Sequence, residues 1–257
     1  MNKTSIAWTD RTWNPVSGCT PISAGCDHCY ARTFAERLWG TPAFPNGFDL
    51  TFRPHKLKEP FRLKEPTMIF VNSMSDFFHQ DVPDEYRDQI VDVMGQTPQH
   101  IYQVLTKRAC GLLYYSRRRK LPANFWAGVT IENQTYEKAR AACLRDADVS
   151  TRFISVEPLL GPLSLDLDRI DWVIVGGESG RHLYDDRVCK ERGLAEDRGP
   201  AIWRPREDRI DWVRSIRDQC ITANVPFFFK QWGGATPKSA GRELDWRTWE
   251  EYPRERG

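Results

Sequence analysis

Short apolar and β-branched runs recur along the chain, and each of them passes into a cluster of polar residues. Six such runs lie at residues 68–71, 101–105, 125–131, 153–156, 172–175 and 226–229. Runs that are apolar at nearly every position are typical of strands that are buried on both faces of a parallel sheet. One more strand is expected near the N-terminus, at residues 6–9 or 13–16, so the pattern predicts about seven strands.

Between these runs, apolar residues recur at the three- and four-residue spacing of an amphipathic helix. Helices are predicted at residues 84–94, 134–145 and 208–223, and after Tyr30. Strand and helix therefore alternate, which predicts right-handed βαβ units. The expected fold class is α/β, as a partial or complete (β/α) barrel with about six to eight parallel strands. A doubly wound open sheet is the alternative.

The α/β barrel domain is expected to cover residues 1–235. Residues 181–206 are rich in charge and poor in apolar side chains, which predicts an inserted surface loop or lid, and residues 236–257 are expected to form a polar tail. The chain has no run of about 18 apolar residues and no signal-peptide core, so we expect no membrane span and a cytoplasmic location.

The amino-acid composition limits which classes of function the chain can have. The 257 residues include 37 Lys and Arg against 35 Asp and Glu, and the resulting net charge of +2 is too small to indicate a nucleic-acid-binding protein by itself. A hydrophobic fraction of 40% argues against disorder. Seven cysteines, three of them close together, indicate a metal site rather than a disulfide framework. The other four, Cys110, Cys143, Cys189 and Cys220, are expected to be structural thiols.

The three-cysteine loop contains Cys19, Cys26 and Cys29. Thiolates are soft metal ligands, and a Cys-x2-Cys pair brings two sulfurs to one metal centre. The predicted helix after Tyr30 would direct its positive end toward anionic thiolates. Three cysteines leave one coordination position open. On an iron–sulfur cluster that position can take a substrate, whereas on zinc His28 or a distant cysteine would have to fill it.

Polar side chains follow the predicted strands at their carboxyl ends, where parallel α/β folds bind ligands. The candidate cofactor-binding residues are Asn72, Ser73, Ser75, Asp76, Thr106, Lys107, Glu132, Asn133, Glu157 and Glu178. Lys107 and Arg108 are candidates to bind an anionic group, and the alternative is that they pair with neighbouring glutamates. Glu132 and Asn133 are candidates to accept hydrogen bonds from the hydroxyls of a ribose. The alternative is that Asn133 is only a helix cap. Glu157 could orient a substrate, and the alternative is that it forms an internal salt bridge. Lys230 and Gln231 are weaker candidates for the site.

The segment 26–31, which ends a three-cysteine loop in a predicted α/β barrel, resembles the radical S-adenosylmethionine (SAM) superfamily. Segments 14–19, 71–76, 104–107, 128–133, 155–161, 176–180 and 228–233 also resemble an uncharacterised phage-type family with this cysteine motif, over roughly residues 5–235. The first resemblance implies that Cys19, Cys26 and Cys29 hold a 4Fe-4S cluster that chelates SAM. It further implies reductive SAM cleavage to a 5'-deoxyadenosyl radical and an electron donor protein as partner.

Two features depart from the superfamily pattern. The cysteines are spaced Cys-x6-Cys-x2-Cys, whereas the superfamily usually has three residues between the first pair. Superfamily members commonly present Gly-Gly-Glu after the second strand to bind the SAM amino group, and residues 72–76 stand at that place here. The resemblance thus implies that Ser73, Ser75 or Asp76 accepts the ammonium hydrogens. Glu178 ends a Gly-Gly-Glu on a later strand, to which that role is not transferred.

Three functions remain open at this point. The first is a radical SAM-type enzyme, which could act on a nucleic-acid base or nucleotide because the basic run 117–120 follows two tyrosines. The second is a zinc- or cluster-stabilised nucleic-acid-binding protein without turnover. The third is a metal-dependent hydrolase that uses Glu132, Glu157 and Glu178.

Overall fold

The computed structural model describes residues 1–199 and 202–253. The strands are β1 (Asn2–Lys3), β2 (Arg11–Trp13), β3 (Val16–Ser17), β4 (Thr51–Phe52), β5 (Met68–Val71), β6 (Ile101–Thr106), β7 (Phe125–Thr130), β8 (Thr151–Val156), β9 (Trp172–Gly176), β10 (Ala195–Asp197), β11 (Trp203–Pro205) and β12 (Phe227–Gln231). The α-helices are α1 (Tyr30–Arg37), α2 (Asp84–Gln96), α3 (Ala109–Arg118), α4 (Gln134–Asp146), α5 (Asp186–Arg192) and α6 (Glu207–Ala223). The chain divides into two compact units.

The N-terminal unit comprises residues 1–129 and 142–152. Its main sheet has the order β1-β2-β5-β6-β7; β1 is antiparallel to β2, and the other neighbours are parallel. Strands β5, β6 and β7 are mostly buried because most of their side chains are apolar on both faces, and Trp13 of β2 packs on Tyr102 of β6 at 5.7 Å between ring centroids. The antiparallel pair β3 and β4 lies outside this sheet.

The C-terminal unit comprises residues 130–141 and 153–257, of which 200–201 and 254–257 are not described. Strands β8, β9 and β12 are parallel. Phe153, Trp172 and Phe228 pack in its core, with centroid distances of 5.8 and 6.0 Å. Helix α6 ends at Asn224, whose φ of 54° is the left-handed conformation that often terminates helices.

The predicted α/β fold class is confirmed. Four parallel strands of the N-terminal unit and three of the C-terminal unit give seven among the described residues. The three long helices predicted between the runs are also confirmed, with ends that differ by one or two residues. The N-terminal strand, however, lies at Arg11–Trp13 rather than at either predicted position. It ends there because Asn14 precedes Pro15, which has no N–H group for a sheet.

The charged segment 181–206 contains regular structure. Helix α5 begins after Asp185, whose side chain accepts hydrogen bonds from the backbone of residues 187 and 188, and strands β10 and β11 pair antiparallel. Leu183, Leu194 and Trp203 are buried. These isolated apolar residues are enough to anchor the segment, although they form no periodic pattern. Residues 200–201 of the predicted insertion lie outside the described part.

The segment 236–253 packs within the C-terminal unit through a few apolar anchors. Leu244 and Trp249 are buried, and the Trp249 carbonyl accepts a hydrogen bond from the Phe229 backbone. Residues 254–257 of the predicted tail lie outside the described residues. Across the described chain, none of the helices has the length and apolar character that crossing a membrane requires.

Candidate functional site

Cys19, Cys26 and Cys29, all in the N-terminal unit, lie on the loop that leads from β3 into α1. Cys19 follows β3 closely, Cys26 ends a single 3-10 turn, and Cys29 immediately precedes the first residue of α1. All three are free thiols and are partly exposed. The amino end of α1 carries a partial positive charge, which favours thiolates at Cys29 and on the turn before it.

Gly18 fixes the start of this loop. Its φ of +91° is a conformation that glycine adopts readily, and a Cβ at this position would lie 2.2 Å from the backbone oxygen of Asp49. The Gly18 N–H donates to the Met74 carbonyl at 2.9 Å, and the Ser75 hydroxyl donates to the Gly18 carbonyl at 2.7 Å. The loop before Cys19 is therefore held by the segment that follows β5.

The segment after β5 is tied to the cysteine loop by further hydrogen bonds. Asn14 accepts from the Met74 N–H at 3.0 Å and bonds to the Ser73 hydroxyl, and the Tyr30 hydroxyl donates to the Ser73 carbonyl at 2.6 Å. Asn72 has a positive φ of 58°, and its side chain is 2% exposed. The Asn72 Nδ2 atom has no hydrogen-bond partner, so it is a buried donor available to a bound ligand.

Asp76 is the centre of the hydrogen-bond network, and it is 6% exposed. Its Oδ1 accepts from the Phe78 N–H at 2.9 Å and from the Thr106 hydroxyl at 2.6 Å. Its Oδ2 accepts from the Lys107 N–H at 3.1 Å and lies 3.1 Å from Nη1 of Arg108. A carboxylate offers about four acceptor positions, so these contacts occupy Asp76 fully. This saturation leaves the serine hydroxyls as the candidates to accept a SAM ammonium group.

Arg108 connects Asp76 to the cysteine loop. Its Nη1 atom donates to Sγ of Cys19 at 3.6 Å, and its Nη2 atom donates to the carbonyl and the hydroxyl of Thr20, both at 3.0 Å. The Thr20 hydroxyl also lies 3.0 Å from Nε2 of His79, which is buried. His79 carried no signal in the sequence, because only the fold brings it to this loop. Thr20 follows Cys19 directly, but nothing in the sequence indicates its contacts with Arg108 and His79.

The electrostatic environment of Cys19 has opposing components. Burial raises the pKa of the Cys19 thiol, and the negative charge of Asp76 raises it further, whereas Arg108 acts in the opposite direction. Burial, followed by the positive charge of Arg108, lowers the pKa of His79 below its usual value of 6.5. His79 is therefore neutral at pH 7. Because metal ions bind the thiolate form, loading of Cys19 releases a proton.

The two candidate ribose-binding residues of the C-terminal unit make internal contacts. Glu132 is 0% exposed, and its Oε2 accepts from Nη1 of Arg140 at 2.6 Å. The Asn133 side chain accepts from the Thr135 N–H at 3.0 Å, which is the geometry of a helix cap before α4. These contacts match the structural alternatives, and a role of either residue in binding ribose stays a prediction.

The other two acidic candidates also have basic partners. Glu157 lies 2.5 Å from Nζ of Lys230, and Glu178 accepts two hydrogen bonds from Arg192, at 2.6 and 2.8 Å. In the described residues, no three or more His, Cys, Asp or Glu side chains are arranged to hold a metal ion. This arrangement argues against the metal-dependent hydrolase, whose metal would need Glu132, Glu157 and Glu178 together.

Two cations of the basic run 117–120 are neutralised. Arg118 forms an ion pair with Asp84, and Arg119 forms one with Asp92. These partners lie on α2, whereas the run ends α3. Paired arginines lose most of their attraction for phosphate, so the basis for a nucleic-acid-binding surface at this run is weakened.

In the described residues, the cysteines of the loop do not form a group that is arranged to hold a single metal ion. A single zinc ion would require four ligands on one centre. In a 4Fe-4S cluster each thiolate binds a different iron, so the sulfurs lie farther apart. The donor set of three free thiols, an adjacent guanidinium and an unpartnered amide is compatible with such a cluster and a polar ligand.

A family model described as "Protein of unknown function (DUF5131)" matches residues 3–191 and 199–253. The chain belongs to this family. No curated protein matches it.

Two solved structures of spore photoproduct lyase have a similar fold. One is a double mutant with bound AdoMet and dinucleoside spore photoproduct; it is 11% identical, with a TM-score of 0.51, over 87% of this chain and 75% of that chain. The other is a complex with dinucleoside spore photoproduct; it is 12% identical, with a TM-score of 0.51, over 85% and 74%. This similarity confirms the expected α/β fold. The resemblance to a phage-type family stays a prediction.

Replacement of Gly18 by Ala tests how the loop before Cys19 is held. Gly40 is the matched control, because its φ is +79° but an added Cβ would meet nothing within 4 Å. Gly40→Ala is expected to lower the free energy of unfolding by about 1 kcal/mol through backbone strain alone. Gly18→Ala is expected to lower it by about 1–3 kcal/mol more, because of the clash with Asp49. Urea denaturation measures both, and equal losses would show that the Asp49 contact does not constrain the loop.

Substitution of Glu132 by Gln distinguishes a structural carboxylate from a ligand-binding one. The change leaves the buried Arg140 charge without its partner, so the free energy of unfolding is expected to fall by about 3–5 kcal/mol. Asp211→Asn is the control, since Asp211 pairs with Arg214 on the surface and should have little effect. A stable Glu132→Gln protein in urea denaturation would refute the structural role.

Proposed function

We propose that the chain is a radical SAM-type enzyme that holds a 4Fe-4S cluster through Cys19, Cys26 and Cys29 and cleaves SAM to act on a nucleotide or nucleic-acid base. The observation that carries the proposal is the loop of three free thiols, with Cys19 hydrogen-bonded to Arg108. This loop occurs in a fold that is shared with a lyase whose structure contains AdoMet.

The cluster and SAM, when bound, supply one-electron cleavage of a sulfonium and abstraction of a hydrogen atom from the substrate. The residues of this chain bind and orient these groups. The three cysteines provide thiolates, and Arg108 provides a positive charge beside one of them. Such chemistry needs an external one-electron donor, so we include an electron donor protein as a partner.

Residues after β5 and β6 are proposed to contact SAM. The hydroxyl oxygens of Ser73 and Ser75 can accept ammonium hydrogens, and the unpartnered Nδ2 of Asn72 can donate to an oxygen. Thr106 and Lys107 belong to the same network through Asp76. For Glu132, Asn133, Glu157 and Glu178 of the C-terminal unit, a role in cofactor binding stays a prediction, and each of them has a partner within that unit.

The substrate class rests on the similar structures. Both spore photoproduct lyase structures contain a dinucleoside, which supports a nucleotide or nucleic-acid base as the substrate of this chain. The neutralised arginines of α3 make that run a poor phosphate contact, so we do not place substrate recognition there.

Anaerobic reconstitution with iron and sulfide tests the proposal. The wild-type protein is expected to bind about four irons, to absorb near ~400 nm and, after reduction, to release 5'-deoxyadenosine from SAM. Cys26→Ser should lose the cluster and the product, whereas Cys110→Ser, which changes an exposed cysteine outside the loop, should retain both. A wild-type protein that binds only zinc and leaves SAM intact would refute the proposal.

Arg108→Ala is expected to weaken the cluster without removing a ligand. The substitution deletes the donor to Cys19 and leaves Asp76 buried without its cation. Iron should therefore be lost to a chelator at least about tenfold faster, which corresponds to about 1.4 kcal/mol of activation free energy. Arg117→Ala, at an exposed position on α3, serves as the control. Equal rates in the two variants would mean that Arg108 does not support the site.

A further inference from the structure

Two cysteines outside the candidate site lie against each other. The Sγ atoms of Cys110 and Cys143 are 3.2 Å apart, although the residues are 33 positions apart in sequence. Both are free thiols. Cys110 is in the first turn of α3, and Cys143 is in the last turn of α4. The sequence analysis expects structural thiols at both positions, and no sequence spacing could have paired them.

A second contact holds the two helices in this register. The Asp148 N–H donates to the Ser116 hydroxyl at 3.1 Å. Ser116 lies six residues after Cys110, and Asp148 lies five residues after Cys143. The two segments are therefore joined by a second contact on the C-terminal side of both cysteines, and all four residues belong to the N-terminal unit. The fold thus brings the two sulfurs together from segments that are far apart in sequence.

We propose that Cys110 and Cys143 form a reversible intramolecular disulfide that links α3 to α4 when a small-molecule disulfide such as oxidised glutathione is present. This proposal does not rest on the proposed function. Cys110 is exposed and Cys143 is half-buried, so an oxidant reaches Cys110 first. The cross-link would form two residues after Arg108, and it would constrain the turn from which Arg108 reaches Cys19.

The exchange balances in two steps. The Cys110 thiolate attacks one sulfur of oxidised glutathione, which forms a mixed disulfide and releases one glutathione thiolate. The Cys143 sulfur then loses its proton to solvent and attacks Sγ of Cys110, which releases the second glutathione. Two protein thiols are oxidised by two electrons in total, and one glutathione disulfide is reduced to two thiols.

The order of the steps agrees with the local electrostatics. Burial, together with the adjacent Cys110, raises the pKa of Cys143 to about 11, so Cys143 is a poor first nucleophile at neutral pH. The remaining two cysteines outside the loop are unsuited to such exchange. Cys189 and Cys220 are buried, and burial raises the pKa of Cys220 to about 12. For these two residues the expected structural role agrees with the structure.

Peptide mapping of the full chain tests the proposal. The reduced protein is equilibrated without air in mixtures of reduced and oxidised glutathione, acid-quenched, alkylated and digested with trypsin. Cleavage after Arg108, Arg117, Arg140 and Arg145 places Cys110 in peptide 109–117 and Cys143 in peptide 141–145. We expect these two peptides to be linked in wild-type protein, with the linked form at least about tenfold more abundant than the Cys110 glutathione adduct.

The matched variants separate the two steps. In Cys143→Ser the glutathione adduct on Cys110 should accumulate, and in Cys110→Ser the Cys143 thiol should stay largely unmodified over the same time. Cys220→Ser is the control and should give the wild-type pattern. A wild-type adduct on Cys110 as abundant as in Cys143→Ser, no linked peptide at any glutathione ratio, or a link from Cys110 to the loop cysteines instead, would each overturn the proposal.

Discussion

The buried carboxylate of Asp76 determines where the other groups of the candidate site lie. Its two oxygens bind donors from the end of β6, from the residues directly after β6, and from the loop that follows β5. One of these donors is the Arg108 guanidinium, which in turn reaches Cys19 and Thr20. A buried charge is costly unless it is paired, so Asp76 and Arg108 hold each other in place. The position of the first cysteine therefore depends on an ion pair formed far away in sequence.

Much of the fold could be predicted because a buried strand can be recognised from the apolar residues of its own short segment. Runs such as 68–71 and 172–175 are apolar on both faces, and a parallel sheet is the arrangement that buries both. The two regions that the sequence did not predict correctly lack such a local pattern. The strand at 11–13 is short and mixed in polarity, and the segment 181–206 is anchored by single residues such as Trp203, so neither produces a periodic pattern.

The candidate site was predictable only where its residues are adjacent in sequence. Cys26 and Cys29 are a recognisable pair because one turn brings both to the same place. By contrast, the partner of Glu178 is Arg192, and the partner of Cys110 is Cys143; both pairings result from tertiary packing. Polar residues at strand ends indicate where a site lies, but their partners decide whether they are available to a ligand.

This availability bears on the kind of chemistry that the chain can perform. In the part of the chain described here, Glu132, Glu157 and Glu178 each have a basic partner, and Asp76 has four donors. Carboxylates that are engaged in this way orient groups, and they are poorly placed to act as metal ligands or general bases. The thiols of the cysteine loop are the chemically distinctive groups of the candidate site. In the proposed function the chain supplies ligation and orientation, and the reactivity comes from the bound cofactor.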